Sequence, residues 1–228
     1  MASKVVLIAG GTSGVGRSLA EQSLRSGHRV FVTGTTPNHL DDVLALADRA
    51  HLDGQVSDLS DWESTRGAVA AAVAHFGRLD AVVASAGRGA AGDLADGDPA
   101  AWRNMVLTNV LGPAHLVRAA LPALGQTRGQ VVLIGSVFGR KPARGSVYSA
   151  TKSAVAALAE SLRQQVVGSG IRVCAVHPGR IDTPWWPDGA APPALSAEAV
   201  AASVGWVLGQ GPDIDVNELV IRPVGQPH

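Results

Sequence analysis

Short, uninterrupted apolar runs recur along the chain, and each is followed by a stretch in which apolar residues return every three or four positions. The runs do not alternate between apolar and polar residues, which is typical of strands buried on both faces of a sheet. Seven segments are therefore predicted as strands: 4–9, 29–33, a short one ending near residue 56, 80–84, 130–134, 171–176 and 218–221.

The stretches between these strands have helical periodicity. In the first of them Leu19, Ala20, Ser23 and Leu24 share one face, and Gly27 ends the helix. Strands that alternate with helices predict an α/β fold, a three-layer, doubly wound (Rossmann-like) parallel sheet of about seven strands. The further predicted helices are 37–49, 60–76 with Ser60 as N-cap, 99–124, 147–167 and 197–208.

Nothing in the sequence divides the chain, so residues 1–228 are expected to form a single domain. The segment 183–193, rich in proline and tryptophan, is expected to be a loop. The formal net charge is zero and the pI is about 7.1, so no charge excess indicates nucleic acid or an anionic membrane as a partner. The apolar runs are also far shorter than the roughly 18 residues of a membrane span.

The N-terminus and the cysteine content bear on localisation. Residues 1–4 lead directly into the first strand, without the charged and apolar regions of a secretory signal. Cys174 is the only cysteine, which rules out an internal disulfide and fits a reducing compartment. We therefore expect a cytoplasmic protein.

A glycine-rich turn lies where the first strand meets the first helix. Gly10, Gly14 and Gly16 follow the spacing G-x-x-x-G-x-G, which differs from the G-x-G-x-x-G of two-domain dehydrogenases. Glycine lets the backbone turn tightly and approach a pyrophosphate, and the helix N-terminus offers free N–H groups to the phosphates. Because the turn follows the first strand, it predicts a nucleotide-binding site.

The single tyrosine of the chain, Tyr148, precedes Lys152 by four residues, and on a helix both side chains share one face. A nearby cation lowers a tyrosine pKa from its usual value near 10, which would make the phenol a usable general acid or base. Such a pair also occurs on ordinary solvated helix faces. Ser136 favours chemistry, since it follows the fifth strand at the edge where α/β sheets bind ligands.

Taken together, these motifs resemble the short-chain dehydrogenase/reductase family over nearly the whole chain, in order and in spacing. Asp58-Leu59 resembles the pair that meets the adenine ring, Ala86-Gly87 resembles the end of N-N-A-G, and residues 178–183 resemble P-G-x-I-x-T. The predicted cofactor-binding residues are Gly10, Thr12, Ser13, Gly14, Val15, Gly16, Gly34, Thr35, Thr36, Asp58, Leu59, Ala86, Gly87, Tyr148, Lys152, Pro178, Gly179, Ile181 and Thr183.

The resemblance implies an NAD(P)-dependent oxidoreductase that reduces a ketone or aldehyde, or oxidises the alcohol. Tyr148 would exchange the proton, and Lys152 would bind the nicotinamide ribose and lower the tyrosine pKa. Ser136 would orient the substrate oxygen, and Asn109 would hold a water that continues the proton path. Alternatively, Asn109 is a core asparagine that kinks its helix.

The sequence departs from the family pattern at Ala9, where a threonine is usual, and at Ala84-Ser85, where two asparagines are usual. These changes bear on cofactor affinity more than on reaction type. No carboxylate follows the second strand before Asp41 to repel a 2′-phosphate, so NADP is the expected cofactor, with NAD possible. Arg17 or His39 would add positive charge there.

The expected substrate is a small carbonyl or alcohol compound. The residues predicted to line its pocket, beside a short substrate loop near 183–196, are Ser136, Phe138, Tyr148, Trp185 and Trp186. An indole-walled pocket would suit an apolar or aromatic substrate, although both tryptophans would serve equally to pack the loop or cover an interface. The arginines after the fourth and fifth strands, Arg88 and Arg140, either recognise an anionic substrate or are simply solvated.

A face of small residues on the helix of Tyr148 predicts a homodimer or homotetramer: Ala150, Ser153, Ala154 and Ala157. His177 and Cys174 are expected to be core residues, and no metal site is predicted. One alternative function is a nucleotide-binding regulatory or scaffold protein without turnover. A second is epimerisation or dehydration of a nucleotide-linked sugar, against which the lack of an added substrate region argues.

Overall fold

The computed structural model describes residues 3–183 and 189–227. Its strands are β1 (Val5–Ala9), β2 (Arg29–Gly34), β3 (Leu52–Val56), β4 (Ala81–Ala84), β5 (Gln130–Ile134), β6 (Arg172–Pro178), β7 (Ile181–Asp182), β8 (Leu195–Ser196) and β9 (Glu218–Ile221). In this part of the chain seven strands form one parallel sheet in the order β3-β2-β1-β4-β5-β6-β9, and β7 pairs with β8. The predicted fold class is confirmed.

Helices cover both faces of the sheet. They are α1 (Gly14–Arg25), α2 (Pro37–Leu44), α3 (Trp62–Phe76), α4 (Pro99–Val106), α5 (Gly112–Thr127), α6 (Val137–Arg140), α7 (Val147–Gln165) and α8 (Ala197–Leu208). Alternate residues of the strands point to opposite faces, so the apolar core divides into two clusters. One cluster lies beneath α3, α5 and α7, and the other lies beneath α1, α2 and α8.

The strand order reverses between β1 and β4. From β1 the chain first adds β2 and β3 on one side and then returns to add β4 on the other. The connections at this point leave in opposite directions, which opens a crevice at the carboxyl ends of the strands. Both β1 and β4 are completely apolar and buried, so the crevice has a rigid floor.

The structure differs from the prediction at several element boundaries. Helix α2 ends at Leu44 rather than at residue 49, because Asp48 accepts a hydrogen bond from the Ala50 amide and stabilises a turn. Asp61, not Ser60, caps α3 by accepting a hydrogen bond from the Ser64 amide. The short helix α6 and the β7–β8 ribbon were not predicted, since segments this short have no measurable periodicity.

The helix predicted over 99–124 is interrupted. Residues Leu107–Leu111 form a π-helical turn between α4 and α5, and the helix then continues to Thr127. π-Helical turns are rare and often occur at functional sites. None of the helices in the described ranges is both long and apolar enough to cross a membrane.

Candidate active site

The crevice at the carboxyl edge of the sheet is a cleft of about 460 Å³. It brings together most of the residues predicted to bind cofactor or substrate, from both halves of the chain. Those that line it are Gly10, Thr12, Ser13, Gly14, Val15, Gly34, Thr35, Asp58, Leu59, Ala86, Gly87, Ser136, Tyr148, Lys152, Pro178, Gly179, Ile181 and Thr183.

Four predicted residues are not among those that line the cleft: Gly16, Thr36, Asn109 and Phe138. Gly16 packs against the glycine-rich turn, where a Cβ atom would collide with the carbonyl of Gly10. Thr36 is exposed and begins α2 as its N-cap. Phe138 lies in α6 and is half-buried. Trp185 and Trp186 lie outside the described residues, so their predicted role stays a prediction.

The glycine-rich turn adopts a conformation that side chains would prevent. Gly10 has a φ of +81°, and a Cβ atom there would lie 2.6 Å from the amide nitrogen of Ala86. Gly14 has a φ of +49°, and the space beside it is open except for the methyl group of Thr183. Ser13 caps α1 without a side-chain hydrogen bond, so its hydroxyl does not satisfy the first-turn amides. This helix end therefore has the properties of an anion-binding site.

The end of β2 determines which groups face the adenosine side of the cleft. The carbonyl of Thr33 accepts hydrogen bonds from the amides of Gly10 and Gly11, which holds the turn against this strand. Thr35 lines the cleft, and none of the lining residues at this strand end is acidic. Arg17, expected to add positive charge here, pairs with Glu21 at 3.1 Å.

Asn109 lies in the π-helical turn and is 1% exposed. Its Oδ1 accepts a hydrogen bond from the Arg88 amide at 2.8 Å, and its Nδ2 donates to the Arg88 carbonyl at 2.8 Å and to Thr151 at 3.1 Å. The side chain thus fixes the segment after β4 to α7. In a continuous α-helix the carbonyl of Asn109 would receive the amide of residue 113, but Pro113 has no N–H to donate.

Ser136 lies two residues after β5 and is the N-cap of α6, where its hydroxyl accepts a hydrogen bond from the Phe138 amide at 3.2 Å. The same hydroxyl is hydrogen-bonded to the phenol of Tyr148. Tyr148 lies in the first turn of α7, which Ser146 caps by accepting a hydrogen bond from the Ser149 amide. Two unconnected helix N-termini thus bring the serine and tyrosine hydroxyls into contact.

Lys152 is almost completely buried one turn further along α7. Its ammonium donates a hydrogen bond to the carbonyl of Ile134 at 2.9 Å and lies 5.8 Å from the centre of the Tyr148 ring. Burial lowers the pKa of Lys152 to about 8. A buried cation with so few partners is costly, which is typical of a functional site rather than a stabilising one.

The pKa of Tyr148 does not follow the sequence-based expectation. Burial raises it above its usual value, and the hydrogen bond with Ser136 lowers it only in part. The expected lowering by Lys152 is not found: the Lys152 ammonium lies 5.8 Å from the centre of the tyrosine ring and is not among the groups that shift the tyrosine pKa. In this structure the tyrosine is therefore a protonated acid at neutral pH.

Gly87 leaves room beside this group. A Cβ atom there would lie 3.5 Å from the Lys152 ammonium and 3.6 Å from Oδ1 of Asn109, so a larger side chain would fill the space in front of both. The cleft thus runs from the glycine-rich turn, past Ala86 and Gly87, to the hydroxyls of Ser136 and Tyr148. A dinucleotide has this shape, with a pyrophosphate in the middle, and the residues present fit it.

Some residues of the site were missed or misjudged from the sequence. Thr151 joins Asn109 to α7 and donates to the carbonyl of Tyr148 at 2.8 Å. The sequence shows that Thr151 follows the tyrosine by three residues, but it does not show that Thr151 contacts Asn109. Arg140, considered for substrate recognition, instead forms an ion pair with Glu218 at 2.9 Å outside the cleft, whereas Arg88 lines the cleft.

The family model described as short chain dehydrogenase matches residues 4–191. The chain belongs to the short-chain dehydrogenase/reductase family. An uncharacterised oxidoreductase of Staphylococcus epidermidis is 30% identical over 227 residues, which is 97% of each chain. The predicted family and the enzyme class, a dehydrogenase or reductase, are thereby confirmed.

Solved short-chain dehydrogenase/reductase structures superpose closely on the described chain. An alcohol dehydrogenase from the archaeon Thermococcus sibiricus, complexed with 5-hydroxy-NADP, has a TM-score of 0.91 and 25% identity, covering 99% of this chain and 98% of that one. A variant of actinorhodin polyketide ketoreductase with NADPH has a TM-score of 0.88 and 26% identity, covering 97% and 96%.

Proposed function

We propose that the protein is an NADPH-dependent reductase of a ketone or aldehyde, running in reverse as an alcohol dehydrogenase. The observation that carries the proposal is the contact between the Ser136 and Tyr148 hydroxyls in the cleft, with the buried Lys152 one helical turn away. When bound, the nicotinamide supplies or accepts hydride. Every other part of the reaction is assigned to groups of the protein itself.

Tyr148 and Ser136 divide the work on the substrate oxygen. A carbonyl oxygen that accepts hydrogen bonds from both hydroxyls is held at one point and is polarised by both donors. Because burial raises the Tyr148 pKa, the phenol is protonated and able to give its proton as the oxygen gains negative charge. Ser136 keeps its place through its bond with the Phe138 amide.

Lys152 stabilises the charge that remains on the tyrosine. Its pKa of about 8 leaves the ammonium mostly protonated at neutral pH, and the low dielectric of the buried site strengthens its attraction to a phenolate. The space in front of Gly87 is where a nicotinamide ribose would meet the ammonium. We therefore assign to Lys152 both ribose binding and stabilisation of the deprotonated tyrosine.

Asn109 takes part through its backbone in this proposal, not through its side chain. All the amide atoms of the side chain are bonded to Arg88 and Thr151. The backbone carbonyl of Asn109 has no α-helical donor, because residue 113 is a proline without an N–H. We assign this carbonyl as the acceptor that binds a water on the proton path.

The proposal of NADP over NAD rests on the end of β2. A carboxylate there would repel a 2′-phosphate, and neither Gly34 nor Thr35 supplies one. The hydroxyl of Thr35 is a suitable donor to a phosphate oxygen. The related structures from Thermococcus sibiricus and of actinorhodin ketoreductase were solved with NADP-type cofactors, which supports the same choice.

We expect a Thr35→Asp variant to lose NADPH and retain NADH. The new carboxylate would face the 2′-phosphate, and a like-charge contact costs several kcal/mol. The KM for NADPH should rise by roughly tenfold or more, since about 1.4 kcal/mol corresponds to a factor of ten. Steady-state kinetics with both cofactors measures the change.

Thr36→Asp is the matched control for this variant. Thr36 is adjacent but exposed and outside the cleft, and aspartate is a good N-cap for α2. Its KM for NADPH should be close to that of the wild type. A wild-type preference for NADH, or an equal rise in KM in both variants, would contradict the assignment of NADP.

Assembly into a homodimer or homotetramer is part of the proposal. Ala150 and Ala157 on α7 are exposed, and the nearby apolar side chains of Val106 and Leu111 are 40% and 43% exposed. Small residues next to exposed apolar ones allow two helices to pack closely around a two-fold axis. Light scattering that gives the mass of a single chain would contradict this assembly.

The experiment that tests the function uses NADPH with acetophenone, benzaldehyde and menadione as representative ketone, aldehyde and quinone. Loss of absorbance of the reduced nicotinamide would measure turnover by the wild type. Binding of NADPH without turnover on any carbonyl, and none on the corresponding alcohols with NADP, would favour a regulatory protein instead. Failure to bind either nicotinamide would remove the proposal.

A further inference from the structure

Behind Ser136, on the side of the sheet edge away from the substrate, lies a second group of ionisable residues. His177 is at the end of β6 and is completely buried. Its Nδ1 lies 3.3 Å from the amide nitrogen of Ser136 and 3.1 Å from the carbonyl oxygen of the same residue. The imidazole therefore contacts the backbone of the serine whose hydroxyl meets Tyr148.

The other nitrogen of the ring faces a carboxylate. Nε2 of His177 lies 3.1 Å from Oε1 of Glu218, at the start of β9, although not in line for a hydrogen bond. The same Glu218 oxygen is 2.9 Å from Nε of Arg140. Ser136 is the N-cap of α6, and Arg140 is the last residue of the same helix. The contacts from Ser136 to His177, from His177 to Glu218 and from Glu218 to Arg140 therefore form a closed ring with this short helix.

The residue before the serine makes this arrangement possible. A Cβ atom at Gly135 would collide with Nδ1 of His177. Only glycine at this position lets the imidazole reach the Ser136 backbone. The close approach is thus a local feature of Gly135, directly after β5, and His177 on the adjacent strand β6.

One nitrogen cannot serve both contacts at once. In the neutral ring with its proton on Nε2, Nδ1 carries a lone pair and accepts the Ser136 amide, while Nε2–H faces Glu218. In the doubly protonated ring Nδ1 becomes a donor, which binds the Ser136 carbonyl and leaves the Ser136 amide without its acceptor. The Nε2–H tautomer is the favoured neutral form, because a bare lone pair on Nε2 would face the Glu218 carboxylate at 3.1 Å. From this tautomer, protonation of His177 exchanges one backbone contact of the serine for another.

We propose that His177 is a positioning residue for Ser136, and that Glu218 and Arg140 set the pH at which His177 changes its contact with the serine. This inference rests on the proposed role of Ser136 in orienting the substrate oxygen. At pH values above the His177 titration, the Ser136 amide donates to Nδ1 of His177 and the serine is held in place. Below it, the backbone of Ser136 moves and the turnover rate falls.

Charged groups surround His177 from three elements. Burial lowers the pKa of His177 most strongly, the Ser136 carbonyl and Glu218 raise it, and Arg140 and Lys152 lower it. Two more charged side chains on α7, Glu160 and Arg163, line the same cavity of about 200 Å³ next to His177. They are paired with each other at 2.7 Å, so their charges largely cancel at the histidine.

Removing the charge of Glu218 or of Arg140 should have opposite effects. Glu218→Gln takes away a negative charge, which lowers the pKa of His177 and moves the acid limb of the kcat profile to lower pH. Arg140→Gln takes away a positive charge and moves that limb to higher pH. Each shift should be about one pH unit, the size expected for a charge at 3 to 6 Å. Because neither residue lines the cleft, KM for NADPH should change little.

The titration is measured first without any substrate. Nitrogen-15 spectra of the intact protein follow the His177 ring, identified by its loss in His177→Asn, and the Ser136 amide. Both signals should move with one midpoint, and that midpoint should shift down in Glu218→Gln and up in Arg140→Gln. The double variant Glu160→Gln, Arg163→Gln is the matched control, since it removes a self-cancelling pair from the same cavity, and it should leave the midpoint unchanged.

Variants of His177 separate positioning from packing. His177→Asn keeps an amide oxygen that can accept the Ser136 amide but does not titrate, so it should retain kcat and lose the acid limb. His177→Leu removes the acceptor and should lower kcat by roughly tenfold, as expected for one lost hydrogen bond. If His177→Leu does not fold, the Glu218 and Arg140 variants still test the inference.

Three results would overturn the inference: a Ser136 amide that does not follow the titration of His177, variants of Glu218 and Arg140 that leave the midpoint unchanged, or variants that shift it in the same direction. These outcomes are distinct from failure of the proposed function. That failure would be a Tyr148→Phe variant as active as the wild type, whereas here Tyr148→Phe would be inactive and only the pH dependence would be unexplained.

Discussion

A Tyr148→Phe variant will lose nearly all turnover while keeping its fold and its cofactor. The substitution removes one hydroxyl, the proton donor in the proposed reaction, and general acid catalysis contributes roughly 10²- to 10⁴-fold to a rate. We expect kcat to fall by about that factor, with the Kd for NADPH nearly unchanged because the ring and Lys152 stay in place. Single-turnover absorbance and NADPH fluorescence titration measure the two quantities.

Ser153→Ala is the matched control for this variant. It also removes one hydroxyl from α7, but that hydroxyl donates to the carbonyl of Gly139 outside the cleft. Its kcat should be close to that of the wild type. A Tyr148→Phe variant that kept more than a tenth of the wild-type kcat would mean that the proton comes from another group.

A Lys152→Met variant will be more stable than the wild type and much less active. Burial lowers the pKa of Lys152 from 10.5 to about 8, a cost on the order of 3 kcal/mol for keeping the ammonium charged in the folded state. Methionine has a similar length and no charge, although it loses the bond to the Ile134 carbonyl, worth about 1 kcal/mol. The net gain should be about 2 kcal/mol and raise Tm by several degrees.

The gain in stability must depend on pH in one direction. Below about pH 8 the lysine is protonated in both states, so the full cost is present and Lys152→Met has its largest advantage. Between about pH 8 and 10.5 the folded wild type releases the proton while the unfolded chain keeps it, so the wild type becomes more stable with rising pH. The difference between the two proteins should therefore shrink across this window.

Lys141→Met is the matched control for stability, because Lys141 is exposed just after α6. Its Tm should stay within about 1 °C of the wild type, as surface substitutions rarely exceed 0.5 kcal/mol. Calorimetry at several pH values gives the comparison. A Lys152→Met variant less stable than the wild type at pH 7 would show instead that the buried ammonium stabilises the fold.

Much of the site followed from local patterns in the sequence. The glycine spacing before α1 predicted an anion-binding turn, since positive φ angles and close backbone approach require glycine. The four-residue spacing of Tyr148 and Lys152 predicted a shared helix face, and the structure places both in one cleft. These features depend on residues near one another in the chain, where geometry is nearly independent of the rest of the fold.

Other features depended on contacts between distant segments. The bonds of Asn109 with Arg88 and Thr151 join three elements, and no spacing in the sequence indicates them. The pKa of Tyr148 is raised where the helical pair alone predicted a lowering, because burial is a property of the packed molecule. Arg140 pairs with Glu218 rather than facing the substrate, since the direction of α6 is decided by its packing.

By itself the sequence determined the α/β architecture, the order of the elements, the family and the set of residues proposed for proton transfer. Apolar periodicity, glycine positions and short motifs are local, and each carries its physical reason within a few residues. Only the tertiary structure decided the protonation tendencies of Tyr148 and Lys152, the role of the Asn109 side chain and the ring that connects His177 to Ser136. Desolvation and long-range contacts arise only when distant segments pack together, and for that reason no local pattern encodes them.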